Sequence, residues 1–135
     1  MKALTTTVAR ILFAIPFGIF GLLHFMKTSM LTSYVPIPGG AIWVYITGIA
    51  LLAACVSMLI GKMGKISSLL LAAMLAIFVL TIHIPGLMKA TDQMTMAATM
   101  TNLLKDIALI GGALTYAGIF AEQESGAKVE EKVSA

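Results

Sequence analysis

Four long apolar runs, at about residues 5 to 27, 41 to 61, 65 to 84 and 99 to 120, divide the chain, and polar residues collect between them. Each run is close to the roughly 20 residues that a helix needs to cross about 30 Å of hydrocarbon. None alternates apolar and polar positions as a barrel strand does, and backbone groups in lipid must be paired within their own segment, so helices are the spanning structure that fits. The pattern predicts an all-α integral membrane four-helix bundle over residues 1 to 120. Residues 121 to 135 are charged, contain Gly and Ser, and hold too little apolar surface to offset the entropy of ordering, so they read as a disordered tail. Lys2, Arg10 and the apolar stretch after them resemble a signal peptide. No small-residue cleavage pattern follows Phe25, where Met26 and Lys27 come next, so the segment reads as a retained first helix.

The connections differ in kind. Tyr34-Val35-Pro36-Ile37-Pro38-Gly39-Gly40 combines two fixed prolines with two permissive glycines and predicts a rigid extended stretch followed by a turn. Trp43 and Tyr45 then lie where an aromatic belt holds the second helix at the lipid interface. Gly61-Lys62-Met63-Gly64-Lys65 reads as a tight turn. His83-Ile84-Pro85-Gly86 reads as a stop signal, because proline disfavours helix in the residue before it. Residues 87 to 100 are too polar and too short to cross, and are expected along the surface or capping the bundle.

Composition narrows the class. Of 135 residues, 59% are hydrophobic and 11% charged, which leaves no room for a separate soluble domain. Lys2, Arg10, Lys62, Lys65, Lys128 and Lys132 fall on one side, and Lys27, Lys89 and Lys105 on the other, so the positive-inside rule places both termini in the cytoplasm. The net charge of +3 comes from these flanks and is not a sign of nucleic-acid binding.

Candidate chemistry comes from helical phase. With 3.6 residues per turn, Arg10, Ala14, Phe17, Gly21 and His24 share a stripe on the first helix; Ala72, Ala76 and His83 share one on the third; Asn102, Asp106, Ala113 and Ala117 share one on the fourth. Small residues mark helix contacts in membranes, so each polar group rides on a packing face. His24, His83, Asn102 and Asp106 thereby converge at the outer end, and ionisable groups inside a bilayer are a functional hypothesis by default. His83 and Asp106 are the candidate catalytic pair, and His24, His83, Asn102, Lys105 and Asp106 the candidate ligand-binding set. Asp106 has structural alternatives: an ion pair with Arg10, Lys27 or Lys105, or a favourable place near a helix amino end. Lys105 has the alternative of snorkelling to the interface, and each histidine that of bonding a backbone carbonyl. Arg10 and Lys27 read as structural residues, Arg10 anchoring lipid phosphate or helix ends at the cytoplasmic side. Met26, Met30, Met88, Met94, Met96 and Met100 cluster in the outer third, so His24, His83, Met94 and Met96 form an alternative Cu(I) set, against the plainer use of Met as an apolar filler. Bis-His haem ligation finds little room in a tightly packed small-residue bundle. Cys55 is the only cysteine and lies mid-span, which excludes an intrachain dithiol relay. No Ser-His-Asp spacing, phosphate-cradling loop or zinc motif occurs.

The run Arg10 through Gly18, Gly21, Lys27, the Val35-Pro36-Ile37-Pro38 connection, the Gly-rich turn, His83-Ile84-Pro85, and Asn102-Leu103-Leu104-Lys105-Asp106-Ile107-Ala108-Leu109-Ile110-Gly111-Gly112 together resemble the DoxX family of small bacterial membrane proteins. The resemblance covers residues 10 to 118. It implies a four-helix protein of the bacterial inner membrane, of a kind linked to quinone-coupled thiosulfate oxidation and to membrane-bound oxidoreductase assemblies. Many relatives carry an acidic residue a few positions after the glycine of the second helix, whereas Gly48 is followed here by Ile49, Ala50 and Leu51. Two readings remain. One is a redox-linked membrane subunit whose outer site binds quinone; the other is a non-catalytic scaffold that docks a redox enzyme subunit or periplasmic protein. Gly18 with Gly21, and Gly111 with Gly112, fit contacts within one bundle or between two copies.

Overall fold

The computed structural model describes residues 1–135. A π-helical turn, Leu4–Val8, leads into α1 (Ala9–Met26), followed by the short α2 (Thr28–Thr32), then α3 (Gly40–Ile60) and α4 (Gly64–Phe78). A second π-helical turn, Val79–His83, joins α4 to α5 (Ile84–Lys89), and α6 (Gln93–Ser134) completes the chain. Four segments are long and apolar enough to cross a membrane: Leu4–Met26, Gly40–Ile60, Gly64–Lys89 and Gln93–Ser134. Only 19 of the 135 residues are buried, while Ile, Leu, Val and Met side chains cover the outside of every long helix. That inside-out distribution is what a bilayer solvates, and the protein is a multi-pass membrane protein. Successive spans alternate in direction, so both termini and the Gly61–Met63 turn share one end. The 27–39 and 90–92 connections share the far end.

Lipid tails are as apolar as leucine, so helices in a membrane associate through close packing rather than water exclusion. The closest backbone approaches are α1 on α3 and α4 on α6. Glycines make the first possible: a Cβ on Gly21 would lie 3.0 Å from the Gly48 carbonyl oxygen, and one on Gly48 would lie 3.2 Å from that of Gly21. The second closes at Gly64, where any side chain would run into the Phe120 ring. Aromatic rings close the remaining side, between α1 and α6. Phe13 lies over Gly112, stacks on Tyr116 with ring centres 4.9 Å apart, and meets Phe17 edge-on. Ala14, Phe17, Met58, Leu71, Ala113 and Phe120 fill the middle.

Local chemistry sets the turns. Gly61 takes φ +72° to end α3, and Met63, the one non-glycine residue at positive φ, precedes α4. The Ser57 hydroxyl donates to the Lys62 carbonyl and accepts from the Ser67 hydroxyl, tying the turn to both helices. At the far end Gly39, with φ +85°, starts α3, and the Trp43 indole N–H donates to the Pro38 carbonyl at 3.1 Å.

Ahead of the Tyr34–Gly40 stretch, Thr28 and Thr32 each donate a hydroxyl to the carbonyl four residues back, at 2.7 Å, and α2 forms there. Three expectations need correction. Pro85 does not stop the third span. It sits in the first turn of α5, where a missing N–H costs least, and the π-helical turn before it absorbs the break, with the Ile84 N–H reaching back five residues to the Val79 carbonyl. The fourth helix starts at Gln93 rather than near 99, because Asp92 caps it by accepting from the Thr95 N–H at 2.9 Å. It also runs through 121–134, where composition predicts disorder. Ala, Glu, Gln and Lys are strong helix formers there, and Glu124 precedes Lys128 by one favourable i, i+4 step.

Two measurements check this account. Gly48→Leu is expected to cost about 1–3 kcal/mol in reversible detergent unfolding through overpacking. Gly111→Ala is expected to cost nothing, because no atom lies within 4 Å of a Cβ there. Hydrogen bonds from the Thr95 side chain and then its N–H hold the Asp92 carboxyl below its ordinary 3.8, so the cap is complete above pH 3.8 and is lost as pH falls through the lower folded value. Hydrogen-exchange protection of the Thr95 amide, corrected for intrinsic rate, should persist down to pH 3.8 and collapse below it.

Candidate functional site

Asp106 is the one charged residue in the buried set, 4% exposed, in the upper part of α6. The same 3.6-residue phase that buries Ala113 and Ala117 turns it inward. An unpaired carboxylate is not tolerated in such a place. His83, the last residue of the π-helical turn, meets it: Nε2 lies 2.8 Å from Oδ2. With Asp106 Oδ2 as the acceptor, Nε2 is the donating nitrogen, and Nδ1 has no hydrogen-bond partner in the protein. Lys105 stands 3.5 Å from the other carboxylate oxygen, and its ammonium also rests over the Phe20 ring, 4.7 Å from the centroid. The Lys105 side chain is 41% exposed, so this long contact is a screened one, and the His83–Asp106 bond is the stronger.

The result is a carboxylate–imidazole dyad with a nearby cation. Asp106 orients the ring and stabilises its protonated form, and Nδ1 is the ring atom open to a ligand, accepting a hydrogen bond when it carries no proton and donating one when it does.

Not every predicted residue joins it. His24 is turned back on its own helix, with Nδ1 2.7 Å from the Phe20 carbonyl oxygen, and no hydrogen bond links it to His83, Lys105 or Asp106. Asn102, one turn from Asp106 on the same stripe, is exposed and makes no side-chain hydrogen bond, although α5 reaches past its level, with Gly86 close to Thr99. The convergence of four polar groups from three spans thus reduces to two, His83 and Asp106, joined by Lys105. Met94 and Met96 are exposed in the first turns of α6, and no cluster of three or more His, Cys, Asp or Glu side chains suited to a metal ion is present. Lys27 is exposed at the end of α1 and forms no ion pair. Phe20 went unrecognised in the sequence, although it lies one turn from His24. It supplies both the carbonyl that satisfies His24 and the ring under Lys105.

Arg10 belongs to the other end. It lines a cavity of about 330 Å³ between the start of the chain and the Tyr116–Gln123 part of α6, and pairs with no carboxylate.

No protein-family model, no curated protein and no solved structure matches the chain.

A double-mutant cycle tests the dyad. His83→Leu alone leaves Asp106 buried with only the screened Lys105, and is expected to lower unfolding free energy by roughly 1–3 kcal/mol. Adding Asp106→Leu is expected to recover most of that loss, because an apolar pair of similar volume has no charge left to solvate. Strict additivity in the same unfolding assay would show that the two side chains do not interact.

Proposed function

We propose that the protein is a small inner-membrane subunit of DoxX type that serves a quinone-linked redox complex through a polar ligand site near its outer face. The observation that carries this reading is the 2.8 Å bond between His83 and the buried Asp106, which leaves imidazole Nδ1 available. A buried ion pair does little for stability, so its presence in a bundle otherwise poor in charge favours a working site over a structural brace. The motif order from Arg10 to Gly112 resembles that family, and the excess of Lys and Arg at the termini end supports cytoplasmic termini. On that orientation the dyad faces the periplasmic side.

The groups present fit a quinone: the imidazole, when protonated at both nitrogens, and the Lys105 ammonium suit two carbonyl-type acceptors, and the Phe20 ring suits an apolar body. Bound there, a quinone would supply reversible carriage of electrons and protons. His83 would donate or accept the proton at Nδ1, Asp106 would hold the ring in register and stabilise its charge, and Lys105 would orient the ligand from its exposed side.

A docking scaffold is the second reading, favoured by the length of α6. Its 42 residues span about 63 Å, roughly twice the hydrocarbon thickness, and present a charged helical extension beyond the last buried residue, Phe120.

Trp43 is the only tryptophan and lies at the same end as His83, so its fluorescence reports ligand arrival. Decylubiquinone is expected to quench it saturably in detergent, with the apparent Kd raised by roughly tenfold or more in His83→Gln. Absence of saturable quenching in the wild type, together with a stoichiometric partner retained through purification, would favour the scaffold.

A further inference from the structure

Arg10 is a cation without an anion. Its guanidinium Nε is buried and has no hydrogen-bond partner, and neither Glu122 nor Glu124, the acidic residues nearest in sequence to the facing part of α6, pairs with it. A guanidinium keeps its charge in any protein environment, so it cannot escape by losing a proton. Instead it faces the 330 Å³ cavity, within the size range of small-ligand pockets.

The cavity is lined with further donors that no protein group uses. The Thr7 hydroxyl, the Tyr116 hydroxyl and the Gln123 amide all border it and make no hydrogen bond. The hydroxyls of Thr5 and Thr6, by contrast, are already turned to carbonyls at the chain start. Ile119 and Phe120 give the remaining wall an apolar surface. An N–H fork with three neutral donors around it matches a tetrahedral oxyanion, whose oxygens accept from several directions at once. Depth adds to this. Arg10 lies about 9 Å along the helix from Leu4, near the boundary between headgroups and hydrocarbon, where the phosphodiester of a lipid sits.

We propose that this cavity binds a phosphate group, with Arg10 as the charged anchor and Thr7, Tyr116 and Gln123 as neutral donors. The proposal stands independently of the dyad at the far end, which shares no residue with it.

The test uses the full chain, purified and delipidated in a maltoside detergent without phosphate buffer. Native mass spectrometry and thermal unfolding are read against three probes: dioctanoyl phosphatidylglycerol, dioctanoylglycerol with the same tails and no phosphate, and inorganic phosphate. The expected result is one bound phosphatidylglycerol per chain, a raised Tm, and no effect of dioctanoylglycerol. Arg10→Gln and Gln123→Glu should each weaken binding by roughly tenfold or more. Gln123→Glu guards against misfolding as the explanation, because it keeps Arg10 and the bundle core and supplies a competing carboxylate within the cavity. A comparable Tm rise with inorganic phosphate, lost in both variants, would assign the site to free phosphate and keep its chemistry. Dioctanoylglycerol binding as well as the phospholipid, binding unchanged in both variants, or no response to either phosphate probe would each overturn the proposal.

Discussion

Everything in this bundle depends on how closely two backbones can approach in a solvent that gives no reward for hiding a side chain. Leucine gains nothing by leaving lipid, so cohesion must come from contacts that lipid cannot match. The chain meets that demand with hydrogen at Cα. Gly21 and Gly48 bring α1 and α3 together, and Gly64 lets α4 slide under the Phe120 ring. Where α1 and α6 stand farther apart, Phe13 reaches over Gly112 to bridge the gap. Surface glycines of the same helices, Gly111 and Gly118, face nothing, so glycine here has a position-dependent meaning.

Much of this was legible from the sequence. Run length located the four spans, and the 3.6-residue phase correctly put Ala14, Phe17, Gly21, Ala72, Ala113 and Ala117 inside and brought His83 to Asp106. What escaped were interactions that no period encodes. A histidine on a packing stripe can still fold back onto the carbonyl four residues earlier, as His24 does. An asparagine on a packing stripe can still face outward, as Asn102 does, although α5 reaches past its level to Thr99. Proline rules assume an α-helical hydrogen-bond pattern, which the turn before Pro85 does not keep. Composition read residues 121 to 134 as too polar to pack, which is correct, yet a helix of good formers continued from a nucleated span needs no packing to persist.

Polar chemistry is divided between the two ends of the molecule. At the far end a buried carboxyl group has found a hydrogen-bond partner in imidazole, a ring that can hold a proton on either nitrogen or on both. At the termini end a permanent positive charge faces unpartnered neutral donors. The middle is almost free of polarity, and Ser68, the only polar side chain among the fully buried ones, lies one turn into α4 toward the termini end. A bilayer imposes this arrangement, since charge is tolerable near its faces and expensive at its centre.

The π-helical turn at Val79–His83 carries one consequence for motion. Hydrogen bonds there reach five residues back instead of four, so α4 and α5 differ in phase from one continuous spiral. Exchanging one longer bond for one shorter bond moves such a defect along a helix without lowering the number of bonds. Each exchange turns the residue that the defect passes by up to about 100° about the axis and leaves the segments on either side as they were. His83 closes that loose winding, so passage of the defect would turn its ring away from its carboxylate while the span stays intact.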